Sequence, residues 1–201
     1  MKKLRVPAVV IAAAIFFVAA CTSYNETSPN PPLAVGSTVE DFKLPDTVGA
    51  EKSLDGLKGP NGTILVFVSA QCPTVKQYNE RISQFAADFA AKGINVIGIN
   101  SNASESPAWM KSHAAENYKF PVLVDKGNVI ADKLGASLTP EIYYLNEKNV
   151  LVYQGAIDNS SSGTEITESY LRNAVEQASS GKPVERKTAR AVGCSIKRAV
   201  V

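Results

Sequence analysis

The sequence predicts an α/β fold, a central mixed sheet flanked by helices with a β-hairpin at its N-terminal side, and three observations predict it. Two continuous apolar, β-branched runs, residues 63–69 (TILVFVS) and 94–99, read as strands buried on both faces. Each is followed by a segment of helical period, and strand, helix, strand, helix is the order that builds a parallel sheet. Two shorter runs, 142–145 and 150–154, flank the turn Asn146-Glu147-Lys148-Asn149 and read as an antiparallel hairpin.

The elements follow in chain order. Short alternating segments around 39–44 and 51–54, separated by the turn candidates Pro45-Asp46 and Val48-Gly49, predict the N-terminal hairpin. Beyond Pro73, Val75, Tyr78, Ile82, Phe85, Ala86 and Phe89 recur at three- and four-residue spacing until Gly93, an amphipathic helix with a glycine stop. Ser106-Pro107 opens a second helix that runs to about Tyr118. A short strand is expected over 120–124, a short helix over 129–134 closed by Gly135, and a final amphipathic helix over 166–178. From Gly181 the chain is basic and weakly patterned and carries the last cysteine, Cys194. No internal repeat is visible.

The first twenty residues obey a different grammar. Lys2, Lys3 and Arg5 precede a run of fifteen residues, 6–20, that carries no charge, the pattern of a signal peptide. As a helix that run would be roughly 22 Å long, short of the bilayer's hydrocarbon core of about 30 Å, so anchorage is expected in place of spanning. The run ends Phe17-Val18-Ala19-Ala20-Cys21, which resembles the lipobox of bacterial lipoproteins, and the resemblance implies that Cys21 is acylated and becomes the mature N-terminus. Thr22 follows it in place of the aspartate linked to inner-membrane retention, which favours the outer membrane where a cell has two. Residues 22–33 (TSYNETSPNPPL) are polar and proline-rich and read as a tether. The expected organisation is thus signal peptide 1–20, lipidated cysteine and tether 21–35, domain 36–180 and basic tail 181–201, in a lipid-anchored, extracytoplasmic protein of the bacterial envelope.

Composition excludes several classes. Removing Lys2, Lys3 and Arg5 from the 21 basic residues leaves 18 against 19 acidic ones, so the slight basicity is a targeting feature and no nucleic-acid partner is implied. No glycine-rich phosphate loop occurs, Gly59-Pro60-Asn61-Gly62 being a turn, and Trp109 and Met110 read as packing or surface groups, so no cofactor is expected. His113, the one histidine, lies between Lys111 and Glu116 on a helix that reads as surface, so it is expected to be solvated; no metal site is expected.

The chemistry gathers at Cys72. It stands between a buried strand and the start of a helix, where the helix dipole and free backbone N–H groups favour a thiolate. Pro73 fits the first helical turn, because the N–H it lacks has no partner there. With Cys21 acylated, Cys72 and Cys194 are the thiols left, in a compartment where disulfides persist.

The segment Phe67-Val68-Ser69-Ala70-Gln71-Cys72 resembles the lead-in to the CxxC of thioredoxin-like proteins, except that the motif here reads Cys72-Pro73-Thr74-Val75 and has no second cysteine. Thr139-Pro140 before a strand resembles the cis-proline of that fold, which would set an exposed backbone edge beside Cys72 for substrate, with Pro73 and Thr74 on the other side. Residues 36–178 are similar throughout to the redoxin group that includes alkyl hydroperoxide reductase and thiol-specific antioxidant proteins, above all in GSTVEDFKLPDTVG, FPVLVDKGNVIADKLGASLTP and VYQGAID. The peroxiredoxin-like subgroup is matched further by Gly193-Cys194-Ser195-Ile196-Lys197.

The resemblance implies a thioredoxin-like oxidoreductase in which Cys72 attacks a disulfide or oxidised thiol, Ser69 and the helix N-terminus stabilise the thiolate, and Thr139 and Pro140 shape the substrate groove, with a thiol protein as reductant; Cys194, on a basic tail able to reach back and beside Lys197 and Arg198, is a candidate resolving cysteine, with a static disulfide and a free thiol as the alternatives. A thiol peroxidase is the alternative: Ser69 stands three residues before the cysteine as peroxiredoxins require, but their proline is Leu65 here and no arginine lies between Arg81 and Arg172. Arg81 itself is about 13 Å along the helix from Cys72. A third reading keeps the fold as a binding module with an idle Cys72.

Overall fold

A computed structural model describes residues 32–199. The signal peptide, Cys21 and most of the tether lie outside the described residues.

Strands β1 (Lys43–Pro45) and β2 (Glu51–Ser53) form the expected hairpin, antiparallel with Leu44 opposite Lys52. Its turn is organised by Asp46, whose carboxylate accepts from the Val48 and Ala50 N–H groups at 3.0 and 2.9 Å, an Asx turn. A single helical turn, α1 (Leu54–Leu57), is capped by Ser53 and leads to β3 (Gly62–Phe67), every residue of which is buried. Helix α2 (Pro73–Ala90) follows, then β4 (Ile94–Asn100), α3 (Pro107–Asn117), β5 (Val122–Val124), α4 (Val129–Leu134), β6 (Leu138–Thr139), β7 (Glu141–Leu145), β8 (Leu151–Gly155), α5 (Tyr170–Ser179), β9 (Thr188–Ala189) and β10 (Cys194–Ser195).

Six strands make the central sheet in the order β5-β4-β3-β7-β8-β9. β3, β4 and β5 run parallel, β7 lies antiparallel to β3, β8 antiparallel to β7, and β9 parallel to β8. The sheet is mixed and thioredoxin-like, with β3 and β7 at its centre. Alternate residues of β3 feed two cores: Ile64 and Val66 meet Val75, Tyr78, Ile82 and Phe89 of α2 and Leu171 and Val175 of α5 on one face. Leu65 and Phe67 meet Ile130 and Leu134 of α4 and Val39 and Leu54 of the N-terminal segment on the other. Among the described residues no helix is long and apolar enough to cross a membrane.

Two differences from the sequence expectation have physical causes. The last helix starts at Tyr170, because residues 159–169 are taken up by side-chain-stapled turns, Asn159 Oδ1 accepting from both the Thr167 and Glu168 N–H groups at 3.1 Å. The basic segment after Gly181 carries two short strands. β9 joins the sheet edge at Gly155, whose φ of +125° and lack of a side chain admit the Ala189 carbonyl; a Cβ there would come within 1.7 Å of that oxygen. β10 pairs antiparallel with β6.

Candidate functional site

Cys72 is the residue before the first turn of α2, with Pro73 at the first helical position and no side-chain cap. Its own N–H donates to Ser69 Oγ at 3.1 Å, and Ser69 donates in turn to Glu105 Oε1. Glu105 also receives the Ala70 N–H at 2.9 Å, the Gln71 N–H at 3.1 Å and the Asn100 side-chain amide at 2.7 Å. One carboxylate, 7% exposed, therefore holds the three residues immediately before Cys72. Ser69 is at the site, but its hydroxyl proton is given to Glu105 and its lone pair to the Cys72 backbone, so it shapes the loop.

Glu105 is the functional-site residue that the sequence reading missed. A signal exists in retrospect: Asn100, Ser101 and Asn102 continue a buried strand in polar residues, and Glu105 stands directly before the Ser106-Pro107 helix start. A buried polar run demands partners.

The Cys72 thiol, 2% exposed, donates to the Thr139 carbonyl at 3.2 Å, and the Thr139–Pro140 peptide is cis. β10 sets Cys194 directly opposite Thr139, whose hydroxyl donates to the Cys194 carbonyl at 3.4 Å. The two sulfurs thus face each other, both as free thiols, across the start of α2. Burial pushes the Cys72 thiol up, but the polar neighbours of its sulfur, the Cys194 thiol first, then the Val75 backbone N–H and the Thr139 side chain, outweigh it and hold Cys72 below the ordinary thiol value. Cys194 moves the other way: burial and the neighbouring Cys72 raise it, and the Thr74 backbone and hydroxyl only partly offset them.

The structure thus brings Cys72, Ser69, Pro73, Thr74, Thr139, Pro140 and Cys194 into one site. Arg81 is not part of it. It pairs with the buried Asp158, donates to the Ser160 and Ser161 carbonyls at 2.8 and 3.0 Å and stacks 3.8 Å over the Tyr78 ring. His113 departs from expectation: it is 9% exposed, edge-on to Tyr118 and in contact with the Asn79 side-chain amide at 3.2 Å. Its helix packs that face against α2, and burial lowers its pKa despite Glu105 and Glu116 nearby.

The model of the AhpC/TSA family matches residues 35–158 of this chain, the span from the N-terminal hairpin to the end of the central sheet's hairpin. The chain belongs to the AhpC/TSA family. Among curated proteins, this family member is 26% identical over 145 residues to the thiol-disulfide oxidoreductase ResA of Halalkalibacterium halodurans, covering 71% of this chain and 80% of that one. It is 27% identical to the thiol:disulfide interchange protein DsbE of Yersinia pestis over 126 residues, 62% of this chain and 65% of that one. Among solved structures, a hypothetical protein from Sinorhizobium meliloti 1021 superimposes with a TM-score of 0.77 at 30% identity, covering 85% of this chain and 98% of that one. The peroxidoxin BcpB of Mycobacterium tuberculosis matches with a TM-score of 0.58 at 18% identity over 71% of this chain and 94% of that one, a likeness of fold. The redoxin resemblance and the thioredoxin-like fold both stand.

Proposed function

We propose that this protein is a thiol–disulfide oxidoreductase whose redox centre is the pair Cys72 and Cys194, acting on disulfides or oxidised thiols with a thiol partner as reductant. The observation that carries the reading is the facing pair itself: a thiol held below its ordinary pKa at the α2 N-terminus and a second thiol positioned against it by β10. Val75 removes the usual local partner, and the C-terminal strand supplies one from 122 residues further along the chain. The names of the ResA and DsbE relatives support the same class of reaction.

The exchange balances as two displacements. A thiolate attacks a disulfide RSSR and expels one RS⁻; the second thiolate then attacks the mixed disulfide, expels the other RS⁻ and leaves Cys72–Cys194 oxidised by two electrons. We further propose that residues 1–20 export the chain, that Cys21 carries the lipid, and that 21–35 tether the domain to an envelope membrane. Two acyl chains hold a protein stably on a bilayer where one is marginal.

Thiol mapping by mass spectrometry on the full chain tests the function. Addition of one equivalent of a disulfide is expected to link Cys72 to Cys194 and release two thiols. Rapid sulfenic acid at Cys72 with hydrogen peroxide, and slow reaction with disulfides, would instead establish a peroxidase. Thiols inert to both would leave a binding module.

A further inference from the structure

The sulfur beside the helix N-terminus is the hidden one. Cys72 is 2% exposed, whereas Cys194 is half-buried on the outer strand. The edge beside Pro140 that would receive an extended substrate is filled by the chain's own β10, with Cys194 opposite Thr139 and Ser195 opposite Leu138.

That strand is fastened on both sides of Cys194. Gly193 lies so close to the Thr139 carbonyl that a Cβ would stand 2.0 Å from its oxygen. The Ile196 N–H donates to the Ser137 carbonyl at 2.9 Å, and the Ile196 side chain is buried in the core under α4. The Lys197 N–H donates to Asn102 Oδ1 at 3.1 Å and its carbonyl accepts from the Ala103 N–H at 2.9 Å. The Ala199 N–H donates to Asn128 Oδ1 at 2.8 Å. Asn102 and Asn128 are both buried. A backbone satisfied in this way behaves as part of the domain.

We infer that Cys194, and not Cys72, is the sulfur through which this protein exchanges with its partner, while Cys72 is the internal thiol that closes and opens the Cys72–Cys194 bond. The inference rests on the exchange reaction proposed above and assigns the order of its steps. In the oxidising direction the Cys194 thiolate attacks a small disulfide RSSR, forming Cys194–S–S–R and releasing RS⁻. The Cys72 thiolate then attacks the Cys194 sulfur, the Cys194–S–R bond breaks, and the second RS⁻ leaves. In the reverse direction RS⁻ attacks the more accessible Cys194 sulfur and Cys72 departs as thiolate. The Val75 backbone N–H beside the Cys72 sulfur favours its thiolate and so stabilises it as it leaves.

The experiment uses the full chain in detergent with glutathione as probe, acid quenching and peptide mapping. Pre-oxidised wild-type protein given excess reduced glutathione is expected to show its trapped mixed disulfide on Cys194; a mixed disulfide on Cys72 overturns the assignment. In the reduced single variants with oxidised glutathione, Cys72→Ser is expected to take up glutathione at Cys194, and Cys194→Ser to be modified at Cys72 at least about tenfold more slowly, because access limits the rate. The opposite ranking overturns the inference while leaving the exchange function intact. Wild-type protein that neither binds glutathione nor closes the disulfide would overturn both readings.

Discussion

At Cys72 two opposing effects meet on one sulfur: burial favours the neutral thiol, and the polar neighbours Cys194, Val75 and Thr139 favour the thiolate and prevail. Because the Cys194 thiol is one of those neighbours, Cys194→Ala should raise the Cys72 pKa. The midpoint of Cys72 alkylation rate against pH, read with iodoacetamide, should therefore move upward in the variant; an unchanged midpoint would show that Cys194 does not act on it. Glu105 works at the same scale. It accepts from one hydroxyl, one side-chain amide and two backbone N–H groups, and Glu105→Gln turns half of that acceptor into a donor facing donors. Leaving such buried groups without partners costs about 1–3 kcal/mol. For a domain of this size that is a fall in Tm of about 2–4 °C for each kcal/mol, and calorimetry checks it.

Between elements, α2 and α3 are joined by a polar cluster that the helical period could not announce. Asn79 of α2 donates to Asn117 at 2.9 Å and meets His113, while Tyr118 donates back to Asn79. Burial holds His113 neutral to lower pH than a free imidazole. A base whose folded pKa is depressed contributes stability that is present above its unfolded pKa of about 6.5 and is lost as pH falls through the folded value. The Tm should thus decline from pH 7 toward pH 5 more steeply in wild type than in His113→Gln. Equal slopes in the two melts would remove His113 as the cause. α3 looked polar in sequence because its buried face is made of Met110, His113 and Ala114 among charged neighbours, and only the docking of α2 selects that face.

Across the whole molecule, helices and loops are tied by contacts between residues far apart in the chain. Arg81 on α2 and Asp158 after β8 form one such tie, with Asp158 almost wholly buried. Arg81→Ala leaves that carboxylate without its cation, and breaking a buried pair in this way costs about 3 kcal/mol. Urea denaturation should show that loss, while Cys72–Cys194 disulfide formation per folded molecule should be unchanged. A loss of exchange chemistry without a loss of stability would mean instead that the guanidinium serves the sulfur.

The sequence by itself determined the sheet and helices whose signals are local. β3 is apolar on both faces because a central strand must be, α2 carries its stripe at helical spacing, and Ser106, Gly93 and Gly135 mark ends that the backbone requires. It also located Cys72 at a helix N-terminus, since strand, cysteine, proline, helix are contiguous. Tertiary structure decided the rest of the site. Glu105 reaches Ser69 across 36 positions and Cys194 reaches Thr139 across 55, so neither partnership leaves a periodic trace in the chain. Two-residue strands such as β9 and β10 hold too few side chains to show alternation; they exist because Gly155 and Gly193 let backbone approach backbone and because buried Asn102 and Asn128 need the donors that the tail brings.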